Sequence, residues 1–138
     1  MDITEFLKKT PLFGGFSDDA LGAVTGTAKE RSFEAGTAII KEGQTGRGFY
    51  LLLSGSAEVR KGSRVLATMA SGDYFGEMSL LLEDTPRTAD VVALEPTTCL
   101  VLTSWDLKAL IKSHPEVGVE MMAELAKRLR NTDATLSD

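Results

Sequence analysis

The 138 residues are 43% hydrophobic and 25% charged with a formal net charge of -5, which excludes disordered, low-complexity and collagen-like classes and supplies one hydrophobic core rather than two. No apolar run is long enough to cross a bilayer, and the acidic, amphipathic start MDITEFLKKTPLF lacks the pattern of a secretion signal, so the expectation is a cytoplasmic single domain over residues 1–138 with no membrane partner. Cys99 is the only cysteine and His114 the only histidine, which leaves disulfides, Cys/His metal sites and Cys-His or Ser-His nucleophile pairs largely unavailable within one chain, while the acidic balance opposes a nucleic-acid surface.

Residues 1–30 read as N-terminal helices. Asp2 and Glu5 form a capping box for a helix running to Lys9, with Ile3, Phe6 and Leu7 on one face, and Pro11 stops it. Ser17 then caps a second short helix through Ala20, Leu21 and Val24. Over residues 31–103 the pattern changes to short β-rich runs, SFEAGTAII, GFYLLLSG, SAEVRKG, RVLATMASG, TADVVAL and TTCLVLT, separated by turn signals at Gly36, Gly43, Gly46, Gly55, Gly62 and Gly72. Many short strands without helical crossovers predict an antiparallel sandwich or jelly roll. The fold class is therefore mainly β with flanking α. Residues 104–138 return to helix: Thr103 or Ser104 caps WDLKALIK, and a Ser113/Glu116 capping box with Pro115 opens a longer helix. On that helix Gly118, Met122, Leu125 and Leu129 follow a 4-3-4 spacing that Thr132 and Leu136 extend, a stripe suited either to the chain's own roll or to a homodimer.

One interruption of the β-zone carries chemistry. In GDYFGEMSLLLEDTPRTADVV a turn at Gly72-Asp73 leads into Phe75-Gly76-Glu77 and a helical half-turn from Met78 to Leu82, and strand resumes only after Pro86-Arg87-Thr88. The first N–H groups of such a helix face outward and favour a phosphate. Gly76 permits close approach. Arg87 returns a planar, permanently charged fork suited to two phosphate oxygens. A carboxylate there repels phosphate, so Glu77 is expected to face a neutral donor such as a ribose hydroxyl. Together these point to a nucleotide monophosphate.

FGEMSLL followed by PRTA resembles the phosphate-binding cassette of the cyclic nucleotide-binding domain family, here residues 75–89, and the likeness extends over the N-terminal helices, the glycine-marked roll and the two C-terminal helices. The resemblance implies an antiparallel β-roll, a double-stranded jelly roll with a short phosphate-binding helix, holding cAMP or cGMP as ligand with no other cofactor. It implies that Glu77 accepts from the ribose 2'-hydroxyl, that Arg87 bonds the cyclic phosphate, and that Gly76, Met78 and Ser79 complete the ligand contacts. Thr88 has three open roles: bonding phosphate, capping strand geometry, or reaching a guanine amino group. Val59 and Leu66 are candidates to flank the base, with core packing as the plainer role.

AELAKRLRNTD is similar to the dimer helix of bacterial cAMP-receptor transcription factors, which implies that Thr132 contacts adenine and favours cAMP over cGMP. DNA binding does not carry over, because the sequence ends at Asp138. Cys99 is expected to be an inert core thiol, His114 to have no chemistry and Trp105 to pack at a hinge. The leading function is a non-enzymatic switch acting through the C-terminal helices. A cupin-type metal enzyme is disfavoured by the single histidine; a ligand-free roll that binds protein, and the sensor part of a larger regulator, remain beside the leading reading.

Overall fold

Side-chain caps placed by the sequence set the helix starts at the N-terminal end. The computed structural model describes residues 2–44, 48–76 and 87–137, with residues 131–137 described as backbone. Helix α1 (Ile3–Lys8) begins at Asp2, whose carboxylate accepts from the N–H groups of Thr4 at 3.0 Å and Glu5 at 3.4 Å. A 3-10 turn follows at Phe13–Gly15. Helix α2 (Asp18–Thr27) starts at Ser17, whose hydroxyl accepts from Ala20 N–H at 3.2 Å. Ala20, Leu21 and Val24 form its buried face, as the pattern predicts.

Among the described residues, eight strands make two four-stranded sheets in which every pairing is antiparallel: β1 (Lys29–Phe33), β8 (Thr97–Thr103), β3 (Gly48–Ser54) and β6 (Tyr74–Phe75) in that order, and β2 (Ala38–Ile40), β7 (Asp90–Ala93), β4 (Ala57–Lys61) and β5 (Arg64–Met69) in the other. This is the predicted β-roll. Two details differ from the sequence reading. SFEAGTAII is not one strand: its start ends β1, which opens earlier at Lys29, and its end is β2 in the other sheet. Gly36 makes the break, its N–H donating to Ala93 O at 2.7 Å while Thr37 N–H closes on Glu34 O at 3.1 Å. The two-residue β6 is too short to carry a period and was legible only as the lead-out of a turn.

Between the sheets lies a core of Ile40, Leu52, Ala57, Phe75, Val91 and Cys99, against which Tyr50, Val59 and Val101 pack. Gly55 turns the chain from β3 to β4 in the other sheet with φ +94°, and a β-carbon there would lie 2.5 Å from the Thr97 hydroxyl and 2.6 Å from Pro96 O. Only glycine meets both demands.

Helix α3 (Ser104–Ser113) is capped by Thr103, not Ser104: the Thr103 hydroxyl accepts from Asp106 N–H at 3.1 Å, and Asp106 accepts from Thr103 N–H at 3.4 Å. The Ser104 hydroxyl is buried without a hydrogen-bond partner among the described residues. Helix α4 (Pro115–Ser137) opens on Pro115 at its first position, where a missing N–H costs nothing. Ser113 does not cap it. Its hydroxyl lies 3.0 Å from Ala109 O and 3.2 Å from Leu110 O, closing the preceding helix instead.

By contact density residues 1–26 with 109–138 form one compact unit and residues 27–108 another. In the helical unit Val117 and Met121 are buried, Leu125 is half-buried, and Val119, Met122 and Leu129 are 61%, 64% and 64% exposed. The uncovered apolar stripe of α4 is thus Val119, Met122, Ala126 and Leu129, displaced from the predicted Gly118-Leu125 side because the chain's own packing takes that flank. No described helix is long and apolar enough to cross a membrane.

Burial pushes the Cys99 thiol from its ordinary 9.0 up to about 11. Between those values the unfolded chain has released this proton while the folded chain keeps it, so folding stability falls as pH rises through the window and is unaffected by this group below it. The expected loss is about 3 kcal/mol by the top of the window. Urea unfolding of Cys99→Ala beside the parent checks it: the parent's additional decline between pH 9 and about 11 should be missing from the variant.

Candidate functional site

A turn delivers the chain into the cassette. Asp73 N–H donates to Ala70 O at 3.0 Å, the Asp73 carboxylate accepts from Ala70 N–H at 2.8 Å, and Gly72 N–H and Leu52 N–H exchange bonds with Leu52 O at 2.8 Å and Asp73 O at 2.9 Å. That fixes β6 against β3, with Tyr50 opposite Phe75 and Leu51 opposite Tyr74. The next residue, Gly76, has φ +87°, and a β-carbon on it would lie 2.6 Å from Gly48 O. Gly76 is therefore pressed onto the start of β3, closer than any other residue type allows.

The far end of the cassette is tied to the same place. Arg87 N–H donates to Gln44 O at 2.9 Å, Arg87 O accepts from Gly43 N–H at 2.9 Å, and Asp90 accepts from Glu42 N–H at 2.7 Å. From this anchor the guanidinium reaches back: one terminal nitrogen donates to Gly48 O at 2.9 Å and the other lies 3.4 Å from Gly76 O. Gly76 and Arg87, eleven residues apart, meet directly. The group is half-buried and remains charged at any relevant pH.

Of the residues singled out from sequence, Gly76 and Arg87 come together. Thr88 follows Arg87 and is exposed. Val59 faces inward onto the inter-sheet core that includes Phe75, opposite Val91. Leu66 is 49% exposed and sits in a bulge, between Val65 opposite Arg60 and Ala67 opposite Val59. Glu77, Met78, Ser79 and the cassette helix expected from Met78 to Leu82 lie outside the described residues, and Thr132 is placed on α4 by its backbone alone. The sequence reading missed Gly48, whose carbonyl accepts from the guanidinium, and Tyr50, whose ring stacks on Phe75 and lies against the positions of Gly48 and Gly76. A glycine opening a strand two residues before an aromatic was the available signal. Among the described residues no cluster of His, Cys, Asp and Glu could hold a metal ion.

The sequence model of the family described as cyclic nucleotide-binding domain matches residues 30–114. The chain belongs to the cyclic nucleotide-binding domain family. It is 35% identical over 135 residues to the cyclic AMP receptor protein of Thermus thermophilus, covering 94% of this chain and 62% of that protein. Against a cGMP-dependent protein kinase of Drosophila melanogaster it is 35% identical over 132 residues, covering 90% of this chain and 17% of the kinase. The solved catabolite activator protein of Thermus thermophilus superposes with a TM-score of 0.82 at 35% identity over 93% of this chain and 62% of that one. The chain thus spans less than two thirds of these relatives, and what it shares with them is a cyclic nucleotide-binding regulatory domain.

Gly72 and Gly76 separate two reasons for glycine in this domain, since their φ values are +94° and +87° but a β-carbon meets nothing within 4 Å at Gly72. Gly72→Ala is expected to lose about 1 kcal/mol of stability from strain alone, and Gly76→Ala about 3 kcal/mol because it also strikes Gly48 O. Urea denaturation of the two variants measures the difference, and equal losses would remove the close approach as a constraint.

Proposed function

We propose that this cyclic nucleotide-binding domain binds a 3',5'-cyclic nucleotide in the cassette at residues 75–89, with cAMP favoured over cGMP, and relays occupancy without catalysis through α3 and α4. The observation that carries this reading is the Arg87 guanidinium drawn to the Gly76 end of the cassette, where one positive fork stands beside the residue that opens the phosphate loop. In the proposed complex Arg87 bonds the cyclic phosphate, Glu77 accepts from the ribose 2'-hydroxyl, and Gly76, Met78 and Ser79 line the phosphate. Leu66, an apolar residue left exposed, is better suited to flanking the base than Val59, which the core already occupies. A nucleotide held this way exchanges water for charge-assisted bonds at the phosphate, the strongest contacts available to it.

Base preference rests on Thr132 and on the likeness of α4 to the dimer helix of bacterial receptors. Relatives named for cAMP and for cGMP match at equal identity, so similarity alone does not choose. Thr88 is the competing residue: if it reads guanine, it adds one neutral hydrogen bond, about 0.5 to 1.5 kcal/mol. A cytoplasmic setting belongs to the same reading.

Calorimetric titration with cAMP and cGMP tests the whole. Arg87→Ala is expected to weaken cAMP binding by about 2 to 5 kcal/mol, because the phosphate loses its paired charge. Unchanged affinity in a variant that melts normally would remove the cassette assignment. 2'-Deoxy-cAMP should bind the parent more weakly than cAMP by about 1.5 to 3 kcal/mol if Glu77 serves the ribose.

The exposed stripe of Val119, Met122, Ala126 and Leu129 on α4 supports pairing with a second copy. Its 3-4-3 spacing is that of a helix seam, and one chain leaves Met122 and Leu129 each 64% exposed. Leu129→Glu should shift sedimentation from dimer to monomer. A parent that sediments as a monomer at high concentration would end this part of the reading.

A further inference from the structure

Both carbonyls that hold Arg87 belong to glycines covered by one aromatic ring. Tyr50 pairs with Phe75 across β3 and β6, and the two rings stack with centroids 5.1 Å apart and planes 3° from parallel. A β-carbon on Gly48 would lie 3.0 Å from Tyr50 Cε2 and 3.1 Å from its Cζ and hydroxyl oxygen; one on Gly76 would lie 3.5 Å from Tyr50 Cδ2. The ring therefore abuts the residue whose carbonyl accepts from Arg87 at 2.9 Å and the residue whose carbonyl lies 3.4 Å from it.

We propose that Tyr50 is a positioning residue for the phosphate site: clamped on Phe75, its ring sets the spacing of the Gly48 and Gly76 carbonyls and so aims the Arg87 fork before a ligand arrives. Tyr50 itself makes no bond to the nucleotide. A long guanidinium side chain held in one geometry has already lost the rotamer freedom that binding would otherwise remove, which is where preorganisation gains affinity. The ring, not the hydroxyl, is the active part, since stacking on Phe75 and contact with the two glycines need only the aromatic plane. The ligand side of this inference rests on the cyclic nucleotide reading; the positioning side is a property of the unliganded chain.

The test crosses Tyr50→Leu and Tyr50→Phe with Arg87→Ala, reading cAMP affinity by calorimetry and, in unliganded isotope-labelled protein, water exchange of the Arg87 guanidinium protons by NMR, assigned through their loss in Arg87→Lys. Tyr50→Leu is expected to weaken cAMP binding about tenfold, to speed guanidinium exchange, and to cost nothing further once Arg87 is alanine. Tyr50→Phe should stay near the parent in both readouts. If Tyr50→Leu costs as much without Arg87 as with it, or leaves the exchange unchanged, the ring only stabilises the fold and the proposal is overturned. A parent that binds neither cAMP nor cGMP would refute the nucleotide reading instead, and the exchange comparison then decides the positioning by itself. Should Tyr50→Leu fail to fold, Gly48→Ala presses a methyl on the same ring and carries the same expectations.

Discussion

A guanidinium held on two backbone carbonyls is the constraint around which the roll is arranged. Arg87 can reach Gly48 and Gly76 only because the chain on either side of it is already fixed: by the backbone bonds to Gly43 and Gln44 before the reach, and by the pairing of β6 with β3 beyond it. Gly76 must lie on Gly48, and the inter-sheet core must hold Phe75 beneath Tyr50. The two bonds are unequal, at 2.9 Å and 3.4 Å, so the hold is mainly on β3 and the cassette end is attached more weakly. The stronger attachment is therefore to the paired strand β3 and the weaker one to the residue that opens the cassette.

Local chemistry was readable wherever a side chain answers its own neighbours. Asp2 and Ser17 cap the helices that they precede, and the glycines at 36, 43, 55, 62 and 72 all have positive φ, because turn and cap requirements act over three or four residues. What depends on partners far along the chain was not readable. Lys29–Phe33 is a largely exposed, charged segment and becomes a strand through pairing with β8, a partner some seventy positions away in the register. Ser113 could cap forward or bond backward with equal local merit, and the end of α3 takes it.

The same distinction runs through the site. Arg87 and Gly76 were found from residue type and spacing, since a fork and a glycine announce their chemistry. Their partners were not, because a carbonyl oxygen is present at every residue and carries no signature. Tyr50 illustrates the difficulty: inside GFYLLLSG its neighbour Gly48 lies two positions before it on the same strand, but its contact with Gly76 follows only from the β3–β6 register. The base-flanking residues separate for a related reason. Val59 and Leu66 are equally apolar in sequence, but the bulge between β4 and β5 leaves one inside and the other out.

Helix α4 carries two apolar flanks that the described residues do not cover together. Val117 and Met121, with half-buried Glu124 and Arg128, lie on one flank, whereas Val119, Met122, Ala126 and Leu129 lie on another. The two sets are offset by alternately two and one residues, on average roughly 150° around a helix of 3.6 residues per turn, so they lie on well-separated sides. A helix that is polar on its outer side would be content as a surface element, but this one places three large apolar side chains there, each more than 60% exposed. Covering a single such side chain is worth about 1.5 to 3 kcal/mol at full burial. The inner flank is already occupied by the chain's own packing, and among the described residues nothing covers the outer one. In the proposed pairing a second copy would present the same stripe, and a self-complementary seam of this kind would satisfy both helices at once.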